Sequence, residues 1–299
     1  MLRFENQEEF MKTLYVSDLD GTLLRSDAKT SEYTNQVINQ LTSDGILFSY
    51  ATARSYLTAT KATKGLNAKI PIITYNGAVI LQNDTFDIIA KNTFCKYEKE
   101  EILNELLRQG IYPIVYAYIS GKEKFSYLIN KCNRATTEFL STRKGDVRDT
   151  PVKFDSALGC GDVFYFVCID AYEKLEPLYI QFKQKYHCIF QTDIYSGEQW
   201  LEIIPKSVSK ANAILQLKES LGIEYIVAFG DGKNDIEMFE IADESYAVEN
   251  AVDELKAIAT GIIESNDSDG VAKWLYSQYS SHHFATSGSH LTAIRLNNF

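Results

Sequence analysis

Asp18 and Asp20 stand two residues apart in the run Asp18-Leu19-Asp20-Gly21-Thr22, directly after the apolar stretch Lys12 to Ser17. At the end of a β-strand, side chains two residues apart leave on the same side, so the two carboxylates concentrate negative charge in one place. Carboxylates that close repel one another, and a hard divalent cation bound through oxygen is their natural neutraliser. Such a pair does not specify a function by itself, because acidic turns at strand ends are common. A second acidic loop, Gly230-Asp231-Gly232-Lys233-Asn234-Asp235, also follows an apolar run, Glu224 to Phe229. If both strands lie in one parallel sheet, the two loops meet at the same edge and Asp231 joins Asp18 around one metal ion. Gly230 and Gly232 give the backbone the freedom such a loop needs. For Asn234 and Asp235 the competing reading is a solvated turn that caps a helix starting at Ile236.

Other chemistries have little to stand on. Histidine occurs at positions 187, 282, 283 and 290, and the last three lie in a polar tail, so a triad would have to rest on His187. That residue sits in Tyr186-His187-Cys188-Ile189-Phe190, the start of a strand, and is read as structural. Cys95, Cys132, Cys160, Cys168 and Cys188 form no CxxC pair and no metal-ligand spacing, which fits reduced thiols in a cytoplasmic chain. A net charge of −10 repels phosphate backbones and argues against nucleic acid. No apolar run approaches the roughly 18 residues of a membrane span. A small anionic substrate would then need a local cation.

The elements that must position these residues alternate. The strand Lys12 to Ser17 is followed by a helix over Ser31 to Asp44, with Val37, Ile38 and Leu41 at helical spacing and Gly45 as its stop. A strand over Ile46 to Ala51 ends at Thr52-Ala53-Arg54, a helix covers Ser55 to Lys64, and a strand over Ile70 to Thr74 ends at Asn76-Gly77-Ala78. Strand, helix, strand predicts an α/β protein built on a doubly wound parallel sheet. The same pattern returns with a helix over Ser209 to Leu221 and short strands at Ser245 to Val248 and Gly261 to Glu264. Between the halves, roughly Asp84 to Ile204, the chain is rich in tyrosine and reads as an independent α/β insert. Strands are expected there over Ile111 to Ile119, Val163 to Ile169, Cys188 to Ile194 and Gln199 to Ile204, and helices over Glu98 to Gln109 and Tyr172 to Tyr186. Asp170 is expected as the N-cap of the latter helix, and the tyrosines mostly as core.

Taken in order, Asp18-Leu19-Asp20-Gly21-Thr22, Thr52-Ala53-Arg54, Lys210 and Gly230-Asp231-Gly232-Lys233-Asn234-Asp235 closely resemble the four signature motifs of the haloacid dehalogenase superfamily. Asn76-Gly77-Ala78, Val248-Glu249-Asn250-Ala251 and Asn266-Asp267-Ser268-Asp269-Gly270-Val271 are similar to its Cof-type, sugar-phosphatase-like branch. The resemblance implies a Rossmann-like core over residues 1–83 and 205–280, a C2-type α/β cap over 84–204 and a tail over 281–299. It further implies a magnesium-dependent phosphatase acting on a small phosphorylated metabolite, with Asp18 as nucleophile and Asp20 as acid and base. Magnesium would rest on Asp18, the Asp20 carbonyl and Asp231. Leu19, Thr52, Ala53, Lys210 and Asn234 would hold the phosphoryl group, and Asp235 would orient Lys210 or a metal-bound water.

Arg54, Asn76 and Gly77 are expected near the substrate, with Arg54 either facing it or pairing with a nearby acid. Lys210 read without the resemblance is a solvated lysine near a helix start. Ala53 departs from the glycine common in the second motif, a small change where backbone approaches phosphate. A mutase, a phosphate-binding regulator and a receiver-like module are the competing functions. The acid/base at Asp20 speaks against the last two. The sequence leaves the oligomeric state open.

Overall fold

The structure, a computed structural model, describes residues 11–67, 70–192 and 197–286. It divides into two compact units: one holds the chain up to Thr74, Leu81–Asp87 and the chain from Ile214 onward, the other Tyr75–Ile80 and Ile88–Ala213.

In chain order the first passage runs β1 (Thr13–Ser17), α1 (Glu32–Ser43), β2 (Leu47–Tyr50), α2 (Tyr56–Ala62) and β3 (Ile72–Thr74). Both helices start where a serine hydroxyl satisfies an orphan amide: Ser31 Oγ accepts from Thr34 N at 2.9 Å and Ser55 Oγ from Thr58 N at 3.3 Å. After α1 the chain turns at Gly45, whose φ of +100° suits glycine. β4 (Val79–Leu81) and β5 (Ile88–Lys91) follow. The inserted segment then runs α3 (Lys96–Arg108), β6 (Ile114–Ile119), β7 (Lys122–Leu128), α4 (Arg134–Ser141), β8 (Asp149–Val152), β9 (Asp162–Asp170), α5 (Tyr172–Phe182), β10 (His187–Thr192) and β11 (Gln199–Ile204). The return is α6 (Lys210–Leu221), β12 (Tyr225–Gly230), α7 (Ile236–Ile241), β13 (Glu244–Val248), α8 (Asp253–Lys256), β14 (Gly261–Ile263) and α9 (Gly270–Thr286).

The first unit is built on a parallel sheet of order β14-β13-β12-β1-β2, and a parallel bridge from Ala51 to Ile73 carries it on beside β2. Leu14, Val16, Phe48, Ile226, Ala228 and Phe229 are buried to 1% exposure or less, as strands covered on both faces require. β1 and β12 are neighbours with Ser17 beside Phe229, so the loops that leave them emerge side by side.

The second unit is a largely antiparallel sheet of order β10-β11-β9-β6-β7-β8, with β8 parallel to β7. Val115, Ala117, Phe166, Cys168, Leu201 and Ile203 form a core with Ile102 and Leu106 of α3 and Leu175, Leu178 and Phe182 of α5. Arg148 is buried among acceptors: it bonds Asp146 and Glu123 at 2.7 Å each, and the Tyr75 hydroxyl donates to the same Glu123.

Several expectations need correction. α5 ends at Phe182, four residues short of Tyr186. Its N-cap is Ala171; Asp170 closes β9, where its carboxylate accepts from Ala171 N at 2.8 Å and meets Lys174 at 3.0 Å. The expected end of the Cys188 to Ile194 strand falls partly outside the described residues. α4, β7 and β8 were not anticipated within the insert. Residues 1–10 and 287–299 lie outside the described residues, and α9 runs to Thr286, past the expected start of the tail at residue 281.

Candidate active site

Asp18 follows the last residue of β1, and its amide donates to the Phe229 carbonyl of β12 at 2.9 Å. Asp231 follows the last residue of β12. Carboxylate oxygens of Asp18, Asp231 and Asp235 all lie within 4.8 Å of one another. Asp18 is 5% exposed and Asp235 0%, so this negative charge is held away from solvent. A donor set of three carboxylates is hard and oxygen-only, the chemistry that suits magnesium, calcium or manganese.

Each carboxylate is aimed by neighbours. Asp235 Oδ2 accepts from the amides of Asp231 and Gly232 at 3.0 Å each, fixing the loop against its own acid. Asp235 is buried and so not solvated, yet it does stand at the N-cap of α7, its carboxylate turned back to Gly232 N and not onto the helix; Asn234 is exposed, as a solvated turn residue would be. Gly230 packs so tightly against Asp235 that a Cβ would stand 2.8 Å from the Asp235 Cβ. Thr22 Oγ1 donates to Asp231 Oδ1 at 2.7 Å, a contact between positions 209 residues apart that the motif contained without revealing. Between Asp18 and Thr22 the chain makes a wide turn closed by Leu24 N to Leu19 O at 2.8 Å. Gly21 takes φ of +80° in it, and a side chain there would collide with the Asp231 carboxylate.

Asp20 is not a member of that cluster, in which Asp18 and Asp235 are buried and Asp231 is half-buried. Its carboxylate is bound bidentately by Arg54, Nε to Oδ2 at 2.7 Å and Nη2 to Oδ1 at 2.5 Å, so of the two expectations for Arg54 the acid pair is the one seen. Thr52 is fully buried; its amide bonds Ile73 O at 3.0 Å and its hydroxyl accepts from Arg54 N at 3.1 Å. Ala53 and Asn234 are exposed, and Leu19 is buried.

The remaining candidates belong to the second unit. Lys210 opens α6 at 2% exposure, after Ser209, whose hydroxyl accepts from Asn212 N at 3.2 Å. Its burial rules out the solvated-lysine reading. Gly77, at φ +103°, packs on the Ser209 carbonyl so closely that no Cβ fits. Asn76 is 4% exposed, with an Oδ1 that has no partner among the described residues. Tyr75, Asn76 and Gly77 all have positive φ, a strained run of the kind found at functional sites. His187 donates from Nδ1 to the Val208 carbonyl at 2.6 Å.

The chain is similar to known proteins over most of its length. A family model described as haloacid dehalogenase-like hydrolase matches residues 15–275. The chain is 30% identical to a 5-amino-6-(5-phospho-D-ribitylamino)uracil phosphatase of Bacillus subtilis, over 86% of this chain and 95% of that one. It is 27% identical to a second B. subtilis phosphatase of the same name, over 89% and 97%. A crystal structure from Thermotoga maritima superposes with a TM-score of 0.72 at 25% identity, covering 89% of this chain and 97% of the other. A match that begins in β1 and ends in α9 places the chain among the haloacid dehalogenase-like hydrolases, in their Cof-type branch, as an enzyme.

Proposed function

We propose that the enzyme is a phosphatase that hydrolyses phosphate monoesters of small metabolites, sugar phosphates foremost, through a phosphoryl group carried on Asp18. The observation that supports this reading best is the convergence of Asp18, Asp231 and Asp235 at the end of two adjacent parallel strands.

In this reading an Asp18 oxygen attacks phosphorus and the bond to the ester oxygen breaks, while Asp20 gives that oxygen its proton. Water then attacks the aspartyl phosphate, Asp20 takes a proton from it, and phosphate leaves with Asp18 restored. The exposure of Asp20, 52% at its side chain, suits a group that exchanges protons with water between turnovers. The Leu19 and Ala53 amides, the Thr52 hydroxyl, Asn234 and Lys210 hold the phosphoryl oxygens, and Lys210 is the local cation an acidic protein needs for an anionic substrate.

The carboxylate cluster fits magnesium, which Asp18, Asp231 and the Asp20 carbonyl would hold. When bound it offsets the charge between an anionic nucleophile and an anionic phosphate. Asp235 keeps the Asp231 loop in place. The inserted unit acts as a cap that excludes water and selects the leaving group; Asn76 and Gly77 are assigned to substrate contact, and Arg54 to holding Asp20. The ligand is a small molecule and not a nucleic acid; no described helix is long and apolar enough to cross a membrane.

The test is phosphate release from a panel of sugar phosphates, nucleotides and 5-amino-6-(5-phospho-D-ribitylamino)uracil, the last because two relatives are named for it. Wild type should release phosphate only with magnesium. Asp18→Asn should lose on the order of 10³-fold or more in kcat, and Asp231→Asn should raise the half-saturating magnesium concentration about tenfold or more. A wild-type chain that binds a panel member tightly yet releases nothing would instead be a regulatory binder. Transfer of the group to a second hydroxyl without free phosphate would make it a mutase.

A further inference from the structure

Two sequence motifs have no task in the mechanism above, yet their side chains reach the turn that carries Asp20. Asn250 follows β13 and Asn266 follows β14, neighbouring strands of the parallel sheet. Asn250 Nδ2 donates to the Gly21 carbonyl at 2.7 Å, and its Oδ1 accepts from the Asn266 amide at 3.0 Å. Asn266 Nδ2 in turn donates to the Leu24 carbonyl at 2.9 Å, a buried bond. We propose that Asn250 and Asn266 are positioning residues that brace the turn Leu19–Leu24 as one relay and so set where Asp20 stands.

The chemistry of the side chains supports a relay. Asparagine is the short side chain that carries a donor and an acceptor on one rigid amide, and Asn250 uses both ends. The Gly21 carbonyl it holds belongs to the peptide that joins Gly21, the residue after Asp20, to Thr22. Fixing that peptide fixes Asp20 on one side and, on the other, the hydroxyl that orients Asp231. Gly21 sits at positive φ with no side chain of its own to hold the path, so the restraint has to come from outside the turn. The loop of Asn250 also touches the other acidic loop, through Val252 N to Asp231 O at 2.9 Å. Beyond the turn the Asn266 loop grips the chain again: Asp267 accepts from Ser26 N at 2.8 Å, and Asp269 from Arg25 Nε at 3.0 Å.

The catalytic consequence rests on the reading of Asp20 as acid and base, and the experiment separates the two. Asn250→Asp and Asn266→Asp keep shape and remove the donor; Asn250→Ala is the second choice should either fail to fold. With magnesium, kcat/KM is measured on p-nitrophenyl phosphate, whose leaving group departs without a proton, and on glucose 6-phosphate, whose alkoxide needs one. The proposal expects a loss of about tenfold or more on the sugar ester against about threefold or less on the aryl ester. It also expects Asn250→Asp combined with Asn266→Asp to be no worse than the poorer single variant.

Amide exchange on the metal-free protein should show faster opening of Leu24 and its neighbours, with the rest of the first unit unchanged. Equal losses on both esters, additive variants, or unchanged exchange at Leu24 would each overturn the brace. If wild type hydrolyses neither ester nor any panel member, the phosphatase reading falls, and exchange at Leu24 alone decides whether the two asparagines hold the turn.

Discussion

Arg54 and Asp20 form a two-pronged ion pair, yet their side chains are 25% and 52% exposed. A pair that wet contributes roughly 0.2–1 kcal/mol to stability, too little to explain a geometry so well matched to a carboxylate fork. Its use is orientation: the guanidinium holds both Asp20 oxygens, which a lysine has no fork to do. Arg54→Gln should therefore lower the unfolding midpoint by no more than about 2–4 °C while kcat/KM drops about 10-fold to 100-fold, and Arg54→Lys should recover little of it. A large fall in midpoint with unchanged kinetics would make the pair a stability device. The sequence placed Arg54 near an acid or the substrate but could not choose, because the choice depends on two loops that follow different strands. Thr22 was hidden for the same reason. A threonine after glycine reads as turn chemistry, and only the neighbouring strand brings Asp231 within reach of its hydroxyl.

At the scale of elements, the loop after β14 shows how a turn earns stability from charge. Asp269, at φ +58° and 8% exposed, accepts from Arg25 and, at 3.1 Å, from Thr34 Oγ1. Burial pushes its carboxyl up, but hydrogen bonds from Arg25, Ser31 and Thr34 outweigh that and leave it below the ordinary 3.8. A depressed folded-state value means that the stabilisation is present above the unfolded-state value and is lost as pH falls through the folded one. Asp269→Asn, which tolerates the same backbone conformation, should cost about 1–3 kcal/mol at pH 7, and the difference from wild type should shrink below about pH 4. Urea unfolding at pH 7, 5 and 3 reads this directly; a pH-independent difference would assign the cost to packing.

The same scale shows what the sequence made legible. The parallel core was readable because each strand is a short apolar run closed by a polar cluster, with capped helices between. Within the insert, β7 (KEKFSYL) has charged residues leading its apolar ones, α4 (RATTEFLS) is only eight residues long with two β-branched threonines side by side, and β8 (DTPV) carries Pro151. Proline is tolerated in β8 because it is the sheet's edge strand. Such elements exist through tertiary pairing and not through local pattern, which is why the middle of the chain yielded its apolar strands and the helices α3 and α5 but not these three.

At the scale of the molecule, each unit has its own hydrophobic core and the two tryptophans divide between them. Trp274 packs on Tyr246 and Phe229 in the first unit, with ring centroids 4.4 and 5.2 Å away, and Trp200 meets Phe139 edge-on at 4.9 Å in the second. The chain carries no other tryptophan, so Trp200→Phe and Trp274→Phe each leave one reporter. The acidic cluster lies wholly in the first unit, and in the proposed reading a bound cation would relieve the mutual repulsion of its three carboxylates. Saturation at about 100 times Kd adds about 2.7 kcal/mol to whatever unfolds with the site. For a unit of this size that corresponds to a rise of about 5–10 °C. We expect the transition followed by Trp274 to rise by that amount with magnesium, that followed by Trp200 to rise by less than half as much, and Asp231→Asn to abolish both responses. Equal shifts at the two reporters would show that the units unfold as one cooperative body, and no shift at Trp274 would remove the cation from the carboxylate cluster altogether.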